Sequence, residues 1–426
     1  MLKTSIINVV LRGLTLSSKF VLLLFIARYL STEELGVFGL MTVTIAISLY
    51  FLGMDFYVYN TREILARKMS KCVPLIRDQL VFHGLTYIIV LPLLLVVFAG
   101  GLISWEYCGW FYLLLVLEHM SQEASRLLIT LSRSNMANLV LFFRSGAWVY
   151  VAVAVGIFLD NARSLSIIWT GWMIGILVSL GLTAYTLRWL AWQKVRRISI
   201  NWGWIKNGAR ISLPFFCATV ALMGIQYADR YFLQHDYGEA SVGIYTFYAQ
   251  IANAVQTFVF TGITMILYPK IVAAHQQGRL AEYRHLMRKL GLGVTGALVV
   301  LVGAVVAAIK PILAVVGKPI YADHLTIFWI MLGSTVLLTC SDIPHYALYA
   351  KHRDREIIAS TIAAFVVAIV ANGLLVPRYG LHGAAFATMT AFAALGCLKT
   401  VFLIKGENYS QQMVVLEQRD AELIRK

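Results

Sequence analysis

Within the apolar stretch 108–131, Glu118, Gln122 and Arg126 recur every four residues, and His119 and Glu123 run beside them. On a helix that spacing gives two adjacent polar stripes. Arg12 and Lys19 stand seven apart in the first apolar stretch and share a face. Arg144 lies in the fifth stretch, Asp229–Arg230 in the seventh, and Asp342 with His345 in the tenth. Charges at bilayer depth cost a few kcal/mol each and usually face the interior of a helix bundle. Arg12, Lys19, Arg126 and Arg144 put four positive charges into the N-terminal half, with Glu118 and Glu123 as the expected deep carboxylates. That surplus fits a cavity for an anionic substrate. Glu118, Glu123 and Asp342, deep in their helices, are the candidates to carry a coupling proton or sodium ion. The competing assignment is internal pairing: Glu118 with Gln122, Glu123 with Arg126, and Asp229 with an arginine of a neighbouring helix. For Asp229–Arg230 a structural role is favoured.

The chain that must position these groups has 426 residues, 59% hydrophobic and only 13% charged, with a mean hydropathy of +0.75. Soluble domains carry about a quarter charged residues. The composition excludes a soluble enzyme, a disordered chain and a fibre, and predicts a multi-pass membrane protein. No GxSxG, Walker or HExxH sequence occurs, and no polar segment is long enough for a nucleotide-binding domain. The five cysteines are scattered, without a CxxC pair, and no histidines cluster in sequence. Neither a disulfide framework nor a metal centre is expected, and no cofactor.

An all-α protein of about twelve transmembrane helices is predicted, since a crossing needs roughly 20 apolar residues. The approximate spans are 6–30, 36–58, 80–103, 108–131, 136–159, 165–188, 209–233, 241–268, 288–310, 324–349, 356–376 and 380–404. Arg12 interrupts the first stretch, and no small-residue cleavage site follows it, so it is read as a span rather than a signal peptide. With both termini cytoplasmic, the inside segments and their helix edges hold about twenty-five basic residues, against about six outside. The densest sets are Arg62, Arg67, Lys68, Lys71 and Arg77, then Arg188, Lys194, Arg196, Arg197, Lys206 and Arg210. This asymmetry accounts for the net charge of +15 without nucleic acid. The basic segments 59–79 and 189–208, the latter with Trp192, Trp202 and Trp204, are expected to lie along lipid headgroups.

A pattern repeats. Arg28–Tyr29 leads through an acidic turn to Gly36 and Phe38, and Arg230–Tyr231 leads through another to Gly243 and Tyr245. Six spans separate the two, which suggests duplicated lobes of like orientation, 1–195 and 209–405, joined by a basic linker at 196–208 and followed by a cytoplasmic tail at 406–426.

The stretch 25–40 resembles the opening of bacterial polysaccharide flippases of the Wzx type, which share a superfamily with the lipid II flippase MurJ and the MATE exporters. Residues 53–64, with Asp55 and Arg62, resemble that family's end of the second span. Residues 228–245, with Asp229, Arg230 and Gly243, resemble its seventh-to-eighth hairpin, and residues 379–388 its entry to the last span. The resemblance covers nearly the whole chain and implies a MATE/MurJ-like fold in the bacterial inner membrane. It implies transfer of an undecaprenyl-diphosphate-linked oligosaccharide, such as an O-antigen repeat unit of lipopolysaccharide, from the cytoplasmic to the periplasmic leaflet. Membrane lipids, a polysaccharide polymerase and a chain-length regulator are the expected partners of a monomeric flippase. The cavity residues come from the charge argument, not from the family. An ion-coupled drug exporter would be expected to have a carboxylate-rich cavity, and the deep basic residues count against it. A membrane polymerase or ligase commonly has a large outside loop; no outside connection here exceeds roughly 15 residues on these boundaries.

Overall fold

The computed structural model describes residues 2–67, 72–190 and 199–424, with side chains described between 10 and 405. Lys68, Lys71, Trp192, Lys194, Arg196, Arg197 and part of the expected linker lie outside the described residues. The order is α1 (Leu2–Tyr29), α2 (Thr32–Gly53), α3 (Phe56–Leu65), α4 (Cys72–Leu93), α5 (Leu95–Ala99), α6 (Cys108–Thr130), α7 (Ser134–Phe142), α8 (Trp148–Phe158), α9 (Leu165–Leu187), α10 (Trp202–Val259), α11 (Met265–Gln276), α12 (Leu280–Val316), α13 (Pro319–Asp323), α14 (Leu325–Ala350) and α15 (Asp354–Ile424).

Among the described residues, nine helical segments are long and apolar enough to cross a membrane. Two of them, Trp202–Gln276 and Asp354–Lys405, run to 75 and 52 residues, too long for one crossing. Each turns at a glycine of positive φ, Gly238 (φ 76°) and Gly380 (φ 55°), a conformation that costs other residues more. Each is therefore two crossings. Helix α6 has 23 residues, also long enough, and its charged and polar residues set it apart from the nine. About twelve crossings result, the number a 20-residue span length predicts for this chain.

Two breaks within the expected spans carry charged residues, Asp55 and Arg144. Between α2 and α3, Met54 (φ 45°) and Asp55 (φ 50°), directly after Gly53, both adopt the left-handed conformation although neither is glycine. Between α7 and α8, residues Phe143–Ala147 form a π-helical turn that carries Arg144. Such strained or widened turns gather at functional sites.

By internal contacts the chain forms two compact units. The first comprises Met1–Met223, Leu233–Phe247 and Val315–Lys318; the second comprises Gly224–Phe232, Tyr248–Ala314 and Pro319–Lys426. The division does not follow the 196–208 segment, because the start of α10 packs with the first unit. There Trp204 is buried against Phe56 and Tyr59, and Phe56 stacks on Phe82 at 4.3 Å between ring centroids. This corrects the expectation that Trp204 lies along the headgroups; Trp202 is exposed. The Asn201 side chain caps α10 by accepting from the Trp204 N–H at 2.9 Å.

The repeated Arg-Tyr, acidic turn and Gly-aromatic pattern has a structural reason in the first unit. Ser31 and Glu34 form a capping box at the start of α2: the Glu34 N–H donates to Ser31 Oγ at 3.0 Å, and the Ser31 N–H donates to Glu34 Oε2 at 2.8 Å. A Cβ at Gly36 would overlap the Glu239 carbonyl, and a Cβ at Gly243 would overlap the Thr32 carbonyl. The two glycines let the backbones of α2 and α10 touch. Arg28 Nη1 donates to the Val315 carbonyl at 2.7 Å, and Lys318 Nζ donates to the Leu30 carbonyl. Burial and then the neighbouring Glu106 push the Tyr107 hydroxyl up to about 12, with Glu239 and Glu34 adding to the effect. This end of the unit is acidic.

Candidate functional site

The deep charges of the first unit form two clusters, both anchored on α6. In one, Arg144 Nε lies 3.2 Å from Glu118 Oε1, and Trp172 Nε1 of α9 donates to Glu118 Oε2 at 3.3 Å. The π-helical turn sets the Arg144 backbone so that its carbonyl accepts from Trp148 Nε1 at 3.0 Å, and Trp148 stacks on Trp172. Helix α1 is pressed onto this turn through Ser18 Oγ, which donates to the Ser145 carbonyl at 3.1 Å. Lys19 follows directly. Its side chain is open to solvent yet surrounded by protein, and the charges that act on it most are those of Arg144 and Glu118. Among the described residues no carboxylate comes within ion-pair reach of Lys19. Two cations thus lie near one carboxylate, and Arg144 alone is paired with it.

In the second cluster, Glu123 Oε1 pairs with Arg126 Nη1, one turn on, as the i,i+3 spacing predicts. The Arg126 guanidinium also sits 3.6 Å from the centre of the Tyr57 ring. Glu123 Oε2 accepts from Gln79 Nε2 at 2.7 Å and lies 3.7 Å from His83 Nε2. The Tyr87 hydroxyl bonds His119 Nδ1 at 2.7 Å. Buried Asp55, at the break in the second span, is close enough for the charges of Arg126 and Glu123 to act on it. Asp55 is therefore a third deep carboxylate, and the positive surplus around Arg126 is smaller than the sequence implied.

The other expected residues fall as follows. Arg12 is exposed on α1 and donates to Asn138 Oδ1 at 3.3 Å. Glu118 pairs with Arg144, not with Gln122. In the second unit, Asp229 and Arg230 are buried: Arg230 Nη1 lies 3.1 Å from Asp229 Oδ1, and Thr388 Oγ1 donates to Asp229 Oδ2 at 2.8 Å. The adjacent Arg230 is thus one cationic partner of Asp229. Asp229 and Arg230 line a small cavity with Gln226, Asn253, Gln256 and Thr335. Asp342 feels the charge of buried Lys399. Arg62 is exposed in the last turn of α3, where a cation suits the helix dipole.

Sequence reasoning passed over Gln79, His83 and Tyr87. They stand four apart on one face of α4, a stripe like that of α6, and the signal was present. The statement that no histidines cluster holds along the chain but not in space: the His83 and His119 rings lie 4.8 Å apart.

Residues 1–275, well over half of the chain, match the family model described as polysaccharide biosynthesis protein. The chain belongs to that family. No curated protein sequence matches it. Among solved structures, this polysaccharide biosynthesis protein resembles an inward-facing multidrug resistance MATE family transporter of the MOP superfamily, at 14% identity and a TM-score of 0.77 over 94% of this chain and 96% of that one. It resembles the lipid II flippase MurJ in an inward closed conformation, at 14% identity and a TM-score of 0.70 over 95% and 88%. A MATE protein in complex with MaD3S gives 16% identity and a TM-score of 0.61 over 96% of each chain. At these identities the likeness is one of fold.

Proposed function

We propose that this protein is a flippase for an undecaprenyl-diphosphate-linked oligosaccharide, moving it from the cytoplasmic to the periplasmic leaflet of a bacterial inner membrane for surface polysaccharide synthesis. The observation that carries the reading is that two cations, Lys19 and Arg144, lie near a single carboxylate, Glu118, which is paired with Arg144. Glu118 pairs with Arg144, so the solvent-open Lys19 keeps its charge without a partner among the described residues, and the arrangement favours a substrate that brings an anion. A diphosphate does, and Lys and Arg bind it through charge-assisted hydrogen bonds. Arg126 and Arg12 are further basic residues that an acidic head group could meet. The polyprenyl tail stays in lipid while the head crosses. Family membership and a fold shared with MurJ support the same substrate class.

Both termini face the cytoplasm in this proposal, and the protein acts as a monomer beside a polymerase and a chain-length regulator. If a coupling cation is used, Glu118, Glu123 and Asp342 are its candidate carriers. Each already has a protein cation nearby, so the ion must compete with that cation. Reconstituted transport that ignores imposed proton and sodium gradients would remove that role. The proposal is tested by depleting the protein in cells. Lipid-linked repeat units are expected to accumulate on the cytoplasmic leaflet while surface polysaccharide falls. Unchanged polysaccharide, with no accumulated intermediate, would contradict it.

A further inference from the structure

His83 and His119 are both buried, at 4% and 1% exposure, and share their site with Glu123. One potential ligand atom from each of the three lies within 4.8 Å of the others. His119 is set by the Tyr87 hydroxyl at Nδ1, and its Nε2 is buried without a hydrogen-bond partner. An outer partner at one imidazole nitrogen, leaving the other bare, is how proteins orient a histidine that ligates a metal. His83 Nε2 meets the Gln79 amide nitrogen at 3.2 Å. That nitrogen is a donor, so His83 Nε2 presents a lone pair to it. Glu123 has one oxygen on Arg126, while Oε2 faces His83 and Gln79.

We propose that His83, His119 and Glu123 bind a divalent transition metal of the zinc class, which would tie α4 to α6. The donor set chooses the ion: two imidazoles and one carboxylate suit zinc and its neighbours, whereas sodium, magnesium and calcium take oxygen. Zinc bonds nitrogen and oxygen at about 2.0–2.2 Å in tetrahedral geometry, so its ligand atoms stand roughly 3.4 Å apart. The three side chains need to close by up to about 1.4 Å, with the Gln79 amide swinging off both Glu123 and His83. Gly53, across the site, leaves room: a Cβ there would stand 3.1 Å from His119 Nε2. Arg126 is the opposing term, because it holds the same carboxylate.

The test uses the full-length protein in detergent, purified without a histidine tag and titrated with Co²⁺ as a spectroscopic probe and with Zn²⁺. The expected result is about one tightly held equivalent, with the visible bands of a low-coordinate N/O site and a Zn²⁺-dependent rise in melting temperature. His83→Gln and His119→Gln should each weaken binding at least tenfold and lose the rise, and Tyr87→Phe should weaken it by about 10- to 100-fold. Wild-type protein that binds no stoichiometric Co²⁺ overturns the proposal, whatever the folding of the variants. Binding that is equal in wild type and both histidine variants also overturns it, since the metal is then held elsewhere.

Discussion

Replacing Lys19 by alanine is expected to abolish or strongly reduce surface polysaccharide output while leaving the protein near its normal level in the membrane. Lys19 has no ion-pair partner among the described residues, so its removal strands no carboxylate. What it removes is a charge offered to the substrate. One charge-assisted hydrogen bond to a diphosphate contributes roughly 1.5–3 kcal/mol, which corresponds to about a 10- to 150-fold loss. Lys19→Arg should retain more activity than Lys19→Ala, because charge matters more than shape for a solvated diphosphate. Arg144→Ala should differ. It also removes the partner of Glu118, and breaking a buried pair costs about 3–5 kcal/mol. Abundance and output should fall together. Adding Glu118→Gln to Arg144→Ala should restore abundance without restoring output. Membrane-protein level and polysaccharide, measured side by side, separate the two effects. Normal output from the Lys19/Arg144 double alanine variant would reject the substrate role.

The second large effect concerns stability. Gly36→Leu is expected to lower the melting temperature and abundance sharply. The atoms that a side chain at Gly36 would strike belong to the Glu239 and Gly243 backbone, which no rotamer change can move. Overpacking costs about 1–3 kcal/mol even where side chains can yield, so this site should exceed that. Gly243→Leu should behave alike, and the double variant should cost less than the sum, because both open the same crossing. Gly84→Ala is the control, with nothing within 4 Å of its added Cβ. It should be neutral or stabilising by about 0.5–1 kcal/mol. Thermal unfolding in detergent reads all four. A Gly36→Leu variant that melts with Gly84→Ala would show that the crossing does not support the fold.

Most of the architecture could be read from span lengths, because lipid demands long apolar helices and leaves few alternatives. The repeated glycines were visible as a pattern, but not their reason, since the sequence does not say which backbones meet. The double left-handed turn falls on Met54 and Asp55 rather than on the preceding Gly53, so the glycine alone does not announce it. The turn brings Asp55 near Glu123 and Arg126, which its place in the sequence motif does not reveal. The ion pair of Arg126 with Glu123 followed from helical spacing, whereas that of Arg144 with Glu118 depends on packing between helices. The Gln79, His83 and Tyr87 stripe was overlooked because uncharged polar residues raise little alarm in an apolar run. Trp204 was assigned to lipid by its basic neighbours, yet the cap at Asn201 starts α10 so that Trp204 faces Phe56.

The central claim is that the protein moves a diphosphate-linked head group across the bilayer, with Lys19 engaging the anion. It is tested most directly in proteoliposomes carrying an undecaprenyl-diphosphate oligosaccharide and probed from outside with an impermeant glycosidase. Wild-type protein should expose lipid from the inner leaflet to the enzyme, and Lys19→Ala protein, folded and reconstituted to the same level, should leave it protected. Wild-type protein that exposes no more lipid than empty vesicles, or Lys19→Ala protein that exposes it at the wild-type rate, would contradict the account.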